Sequence, residues 1–269
     1  LHYPLRRQRQ MCIRDSFISE EDIEQAILSK LNAEPFKYDI LICDASPDKR
    51  DVLPDGTGRN SKKECILPDV MLTSLKRINP TIEENKIKEI VKTLRQDYTG
   101  TDIVDTNYKL YRQIRNNIKI TVRRNGKEDF DFVKLIDFEY PENNTFTAVS
   151  QMWIQGKVYY RRPDILIFVN GMPLVFIELK NSIIKVEEAY NKNLKDYMRD
   201  IPNLFAFNQI CVLSNGLETK LGAFNATYDY FFEWLKIDSE KEKLDREAIL
   251  AADNVKAVSY THLRAHETD

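Results

Sequence analysis

The alternation of apolar and polar positions divides this chain into helical stretches at its two ends and strands between them. Residues 19–31, SEEDIEQAILSKL, open on Ser19, carry acids in the first turn and put Ile23, Ile27 and Leu31 on one face. That pattern predicts an amphipathic helix. From about 44 to 64 the chain turns polar, with Pro47, Pro54, Gly56 and Gly58, and predicts a long surface loop. A second helix is expected to start at Asn79-Pro80, with Ile87, Ile90, Val91 and Leu94 as its apolar stripe. Beyond Gly100 the texture suggests short strands: IKITV at 118–122, FVKLIDF at 132–138 and FTAVSQMWI at 146–154. A helix is expected from Ser182 to about Arg199, a buried strand at 209–214 and an aromatic helix at 228–235. Strands in mid-chain with helices on both sides imply a mixed sheet covered on two faces.

The stretch 161–180, RRPDILIFVNGMPLVFIELK, stands out within this pattern. It reads as two apolar strands around an Asn170-Gly171 turn, yet carries Asp164 at its start and Glu178 and Lys180 at its end. Side chains alternate across a strand, so Glu178 and Lys180 share a face and Leu179 points the other way. Asp164 joins that face if it lies opposite Glu178, which a three-residue loop of Asn170, Gly171 and Met172 would allow. Two carboxylates at cross-strand spacing repel, and burial pushes at least one toward protonation. A divalent cation reverses that balance, because hard oxygen ligands suit Mg²⁺ and its charge dominates the local field.

Composition narrows the options. The ends do not read as protein: Met11-Cys12-Ile13-Arg14-Asp15 and Val258-Ser259-Tyr260-Thr261-His262 can be encoded by one DNA element in opposite orientations. That element resembles the inverted end of a transposon-based sequencing adapter. Residues 1–16 and 257–269 are therefore expected to be translated adapter and 17–256 the folded unit. His2, His262 and His266 all lie in those ends, so histidine-based catalysis is excluded from 17–256. The ends hold five arginines and three acids, leaving 35 basic and 39 acidic residues in the remainder, a net of −4. No global basic excess points to nucleic acid, and local patches would have to bind it. Cys43, Cys65 and Cys211 lack zinc or disulfide spacing, and no 18-residue apolar run occurs. A soluble protein of the reducing cytoplasm is expected.

Arg162-Pro163-Asp164 followed by Glu178-Leu179-Lys180 resembles the PD-(D/E)xK nuclease motif. The surrounding DFEYPENNTF, RRPDILIFVNGMPLVFIELKNS, DIPNLF and CVLSNG are similar to the amino-terminal domain of the restriction (R) subunit of type I restriction-modification enzymes. The resemblance covers essentially all of 17–256. It implies an α/β restriction-endonuclease-like fold, a central mixed sheet flanked by helices after an N-terminal helical segment. It further implies Mg²⁺-dependent hydrolysis of double-stranded DNA, with Asp164, Glu178 and the Leu179 carbonyl as metal ligands and Lys180 as the catalytic lysine. The family's Gln-x-x-x-Tyr motif is matched by Tyr197, but Asn193 stands where the family has glutamine. Glu24 corresponds by position to an acidic residue that many such nucleases bring toward the metal. Arg161 and Arg162, beside the motif, are candidates for phosphate contacts, ahead of Arg123, Arg124 and Lys127. No G-x-x-x-x-G-K-[ST] occurs, so the resemblance assigns ATP to motor domains absent from this sequence, and it names those domains and the modification and specificity subunits as partners. A catalytically silent module of the same fold, holding DNA or docking subunits, is the rival expectation.

Overall fold

The computed structural model describes residues 18–124 and 126–234. The adapter-like ends, all three histidines, Asn125 and residues 235–256 lie outside them. Helix α1 (Glu20–Asn32) is the first element, and its start follows from the sequence. The Asp22 amide donates to Ser19 Oγ and the Ser19 amide to Asp22 Oδ2, both at 3.1 Å. This reciprocal cap satisfies amides that the first turn leaves free. Strand β1 (Asp39–Ile42) follows, then the polar stretch, then α2 (Pro68–Ile78), α3 (Glu84–Leu94) and α4 (Ile103–Asn116).

The rest of the chain is mostly strand. Strands β2 (Ile118–Arg124) and β3 (Lys127–Val133) form a separate hairpin. Then come β4 (Phe146–Ser150), the short pair β5 (Ile154–Gln155) and β6 (Tyr160–Arg161), β7 (Ile165–Val169) and β8 (Met172–Leu179). A composite helix joins α5 (Val186–Glu188), a π-helical segment over Ala189–Leu194 and α6 (Lys195–Asp200). Strands β9 (Ile210–Ser214), β10 (Thr219–Gly222) and β11 (Phe232–Glu233) complete the main sheet.

That sheet has seven strands in the order β1-β4-β7-β8-β9-β10-β11; β1/β4 and β8/β9 are parallel and the other pairs antiparallel. The expected mixed α/β architecture is observed. Alternation along the central strands supplies both apolar faces. Leu166, Phe168 and Phe176 pack with Val186, Leu194, Tyr197 and Phe205. Ile165, Ile167, Ile177 and Leu179 pack with Ile23 and Leu28 of α1. Helices α2, α3 and α4 close over Val169, Met172 and Leu174 at the turn end of the hairpin.

Several expectations need correction. The 44–64 stretch is largely irregular but not merely solvated, because Asp55 is bonded to Arg59 and Lys62, and both cations are 4% exposed. Helix α4 stands where strand texture was expected, its first turn capped by Asp102 accepting from the Val104 and Asp105 amides. Strand β3 ends at Val133 rather than spanning 132–138. Asn79 explains this, since its side chain accepts from the Lys134 amide and donates to the Lys134 carbonyl, groups a strand would offer its neighbour. The 146–154 run divides at Gln151, whose φ of 56° leaves the extended region. The expected helix at 228–235 is instead a 3-10 turn over Tyr228–Tyr230 followed by β11. Phe231 is buried between exposed Tyr230 and Phe232, and both residues of β11 are exposed at the sheet edge.

Candidate active site at the end of the central hairpin

The β7–β8 hairpin brings the motif together by a route other than the expected three-residue loop. Val169 pairs with Met172, so the turn is the two residues Asn170 and Gly171, with φ of 49° and 81°. Both are left-handed, as the preferred two-residue hairpin turn requires. Continued without interruption, that register would oppose Asp164 to Ile177. A bulge intervenes: Phe168 pairs with Pro173 but Ile167 with Val175, which leaves Leu174 as the extra residue. Pro173 has no amide proton to give the ladder, a natural place for the irregularity. Beyond the bulge Ile165 pairs with Ile177, and the same register opposes Asp164 to Glu178.

Alternation from Leu166 and Phe176 places Asp164, Glu178 and Lys180 on the face covered by α6. Asp164 Oδ2 accepts from the Leu179 amide at 2.7 Å, so the carboxylate closes the end of the strand pair. Glu178 is 1% exposed, and its Oε1 lies 3.2 Å from Lys180 Nζ. Its other oxygen, Oε2, is buried without a hydrogen-bond partner. Lys180 Nζ also donates to the Leu179 carbonyl at 2.6 Å and lies 4.0 Å from Glu20 on α1.

The electrostatics follow from burial with too little positive charge. Burial pushes the Asp164 carboxyl up to about 6, and the charges of Glu24 and Glu20 add to this, against the Leu179 amide and Lys180. Burial and then the Asp164 charge push Glu178 well above the usual carboxylate range, with Lys180 opposing. An isolated buried carboxylate oxygen costs roughly 1–3 kcal/mol or more in lost solvation. Two electron-rich carboxylates, one with a bare oxygen, plus the Leu179 carbonyl make a hard donor set that fits a small divalent cation. Among the described residues no three His, Cys, Asp or Glu side chains gather closely enough to hold a metal by themselves. Glu24 therefore does not complete a carboxylate triad.

The remaining predicted residues are placed around this centre. Glu24 is buried under the sheet, bonded to the Ser150 hydroxyl and, at 2.6 Å, to Gln151 Nε2. Tyr197 packs edge-on against Phe176 and donates its phenol to the Arg162 carbonyl at 3.2 Å. Burial raises its pKa, and the charges of Glu178 and Asp164 add to this. Both arginines are engaged by protein groups: Arg161 by Asp196 and Asp200, Arg162 by the Ala45 carbonyl and the Trp153 ring.

Ser150 and Gln151 went unread in the sequence because they sit inside an apolar run expected to be continuous strand. Two adjacent polar residues within FTAVSQMWI were the available signal. Cys43, Cys65 and Cys211 are buried and free, and no described helix is long and apolar enough to cross a membrane.

The family model described as type I restriction enzyme R protein N terminus matches residues 17–230. The type I restriction enzyme HindI endonuclease subunit of Haemophilus influenzae is 30% identical over 236 residues, covering 85% of this chain and 21% of the relative. The MjaIXP endonuclease subunit assigned to a type I restriction enzyme in Methanocaldococcus jannaschii is 34% identical over 202 residues, 71% of this chain and 19% of the relative. The chain spans about a fifth of the length of these relatives.

Proposed function

This chain belongs to the family of type I restriction enzyme R protein N termini, and on that premise we propose that it is a divalent-cation-dependent endonuclease domain acting on double-stranded DNA. The observation that carries this reading is the buried Glu178 with its unpartnered Oε2, set beside Asp164 and Lys180. A purely structural ion pair would satisfy both oxygens.

Asp164, Glu178 and the Leu179 carbonyl would hold Mg²⁺. When bound, the cation supplies charge that offsets the phosphate and makes a water more acidic. The protein's own groups do the rest. Lys180 sits between Glu178 and the Leu179 carbonyl, from where its ammonium can turn to a phosphate oxygen or orient the attacking water. Tyr197 fixes the backbone at Arg162 and hence the approach to Asp164.

The longer subunit would supply the ATP-driven motor, and the modification and specificity subunits of a type I complex would choose the target. A cytoplasmic location accords with such a role.

Titration of the chain with Mn²⁺ or Mg²⁺, alongside incubation with supercoiled plasmid, tests the proposal. Saturable binding and nicking are expected, both lost in Asp164→Asn and in Glu178→Gln, while Lys180→Ala keeps binding and lowers cleavage by about 100-fold or more. Absence of binding by the unmodified chain, or full cleavage by any of these variants, would refute it.

A further inference from the structure

We infer that Gln151 is a positioning residue that joins Glu24, on one side of the sheet, to Asp164, on the other, and so sets the orientation of the Asp164 carboxylate. The inference rests on the reading of Asp164 as a cation ligand and extends it to residues to which that reading gave no role.

Geometry is the first support. Ser150 shares the face of Ala148, which is packed under α1, and its hydroxyl meets Glu24 there. Asp164 shares the opposite face with Leu166. A residue bonded to both carboxylates must therefore reach around the end of β4. Gln151 stands at that end in a left-handed conformation with φ 56°, which few residues other than glycine adopt. Its amide N–H donates to the Asp164 carbonyl at 2.9 Å, so the turned backbone is tied to the residue that its side chain addresses.

Side-chain chemistry is the second. Gln151 Nε2 lies 2.6 Å from Glu24 Oε2 and 3.4 Å from Asp164 Oδ1. A primary amide carries two N–H donors on one nitrogen and no charge, which suits a bridge between two carboxylates that would otherwise repel. The opposite assignment of the amide would aim its oxygen at both acids. Each carboxylate is then fully placed. Glu24 has Ser150 on one oxygen and Gln151 on the other, while Asp164 has the Leu179 amide on Oδ2 and Gln151 on Oδ1. Groups that orient a ligating carboxylate in this way typically change cation affinity by about 10–100-fold when removed. Glu24 acts through Gln151 in this arrangement and is not itself a ligand.

Two readouts on the 269-residue chain test this, the first without any cation. The Leu179 amide reports the placement of Asp164 directly. In Gln151→Ala its hydrogen exchange is expected to rise about tenfold or more relative to the Val212 amide in β9, with the melting temperature little changed. The Mn²⁺ dissociation constant is expected to rise by about 10–100-fold, and Glu24→Ala to have a similar effect. The double variant is expected to be no weaker than either single one, because the two residues act in series. Unchanged Leu179 exchange and unchanged Mn²⁺ affinity in Gln151→Ala, with binding still lost in Asp164→Asn, would overturn the inference and leave the nuclease reading standing. Complete loss of binding in Glu24→Ala with little effect of Gln151→Ala would overturn it in favour of direct ligation by Glu24. Failure of the unmodified chain to bind Mn²⁺ would remove the functional reading and this role together.

Discussion

Two carboxylate clusters in this molecule, each largely withdrawn from water, are treated in opposite ways. In the irregular stretch before α2, Asp55 faces two cations, Arg59 at 2.7 Å and Lys62 at 2.5 Å, and also accepts from the Thr57 hydroxyl. Burial alone would raise its pKa, but the hydrogen bonds from Lys62, Thr57 and Arg59 outweigh burial and hold the carboxyl well below the usual range. Arg59 spends its remaining donors on Thr57 and on the Glu64 and Trp153 carbonyls. At the hairpin end, two carboxylates share one lysine, both are pushed up, and one oxygen has no partner. A cluster with its charges satisfied fixes a loop. One left short of positive charge is poised for something that arrives from outside.

The contrast can be broken most forcefully at the satisfied cluster. Asp55→Ala leaves Arg59 and Lys62 buried without their counter-charge, and a loss of about 3–5 kcal/mol in stability is expected. Denaturant unfolding measures it, and a loss below about 1 kcal/mol would show the cluster to be dispensable.

Removing charge at the hairpin end should have the opposite sign. Below about pH 4 Asp164 is protonated in both the folded and the unfolded chain. Between about 4 and about 6 the unfolded chain ionises first, so stability falls as pH rises through this window, by up to about 3 kcal/mol from Asp164 alone. Glu178, also raised, adds a fall of the same sign. Asp164→Asn should therefore stabilise the cation-free chain near pH 7 and flatten its pH profile between 4 and 6. A series of melting curves across that range decides the matter, and destabilisation at pH 7 would contradict the electrostatic account.

A third class of charge calibrates the other two. Lys109 pairs with Asp105 at 2.6 Å on the exposed surface of α4. Solvent screens such a pair, and Lys109→Ala should leave the melting temperature unchanged within error.

Why some of this was visible in the sequence and some was not follows from the range of the forces involved. Helix α1 and the apolar stripe of α3 are local patterns, and both were legible. The motif itself was legible because strand alternation fixes which residues share a face. Helix α2 was not, since it begins at Leu67-Pro68 with no side-chain cap, and its order depends on burial of Met71 and Leu75 and on the Leu67 amide donating to the Gly171 carbonyl. Strand β1 is four residues long and takes its register from β4, more than a hundred residues away. At the site, the bonds of Gln151 to Glu24 and Asp164 span separations of 127 and 13 residues, and no local pattern announces them.

The bulge at Leu174 has a consequence for how this hairpin can change. One supernumerary residue sets the phase of everything between it and the strand ends. Flattening it with every residue kept and the turn held at two residues would shift half of the hairpin by one position, presenting Ile177 to Asp164 and sending the glutamate and lysine out beneath α1. A chain with the same spacing between the two carboxylates can do without the bulge only by lengthening the turn by one, whereas a chain one residue shorter there keeps the constellation with a plain two-residue turn.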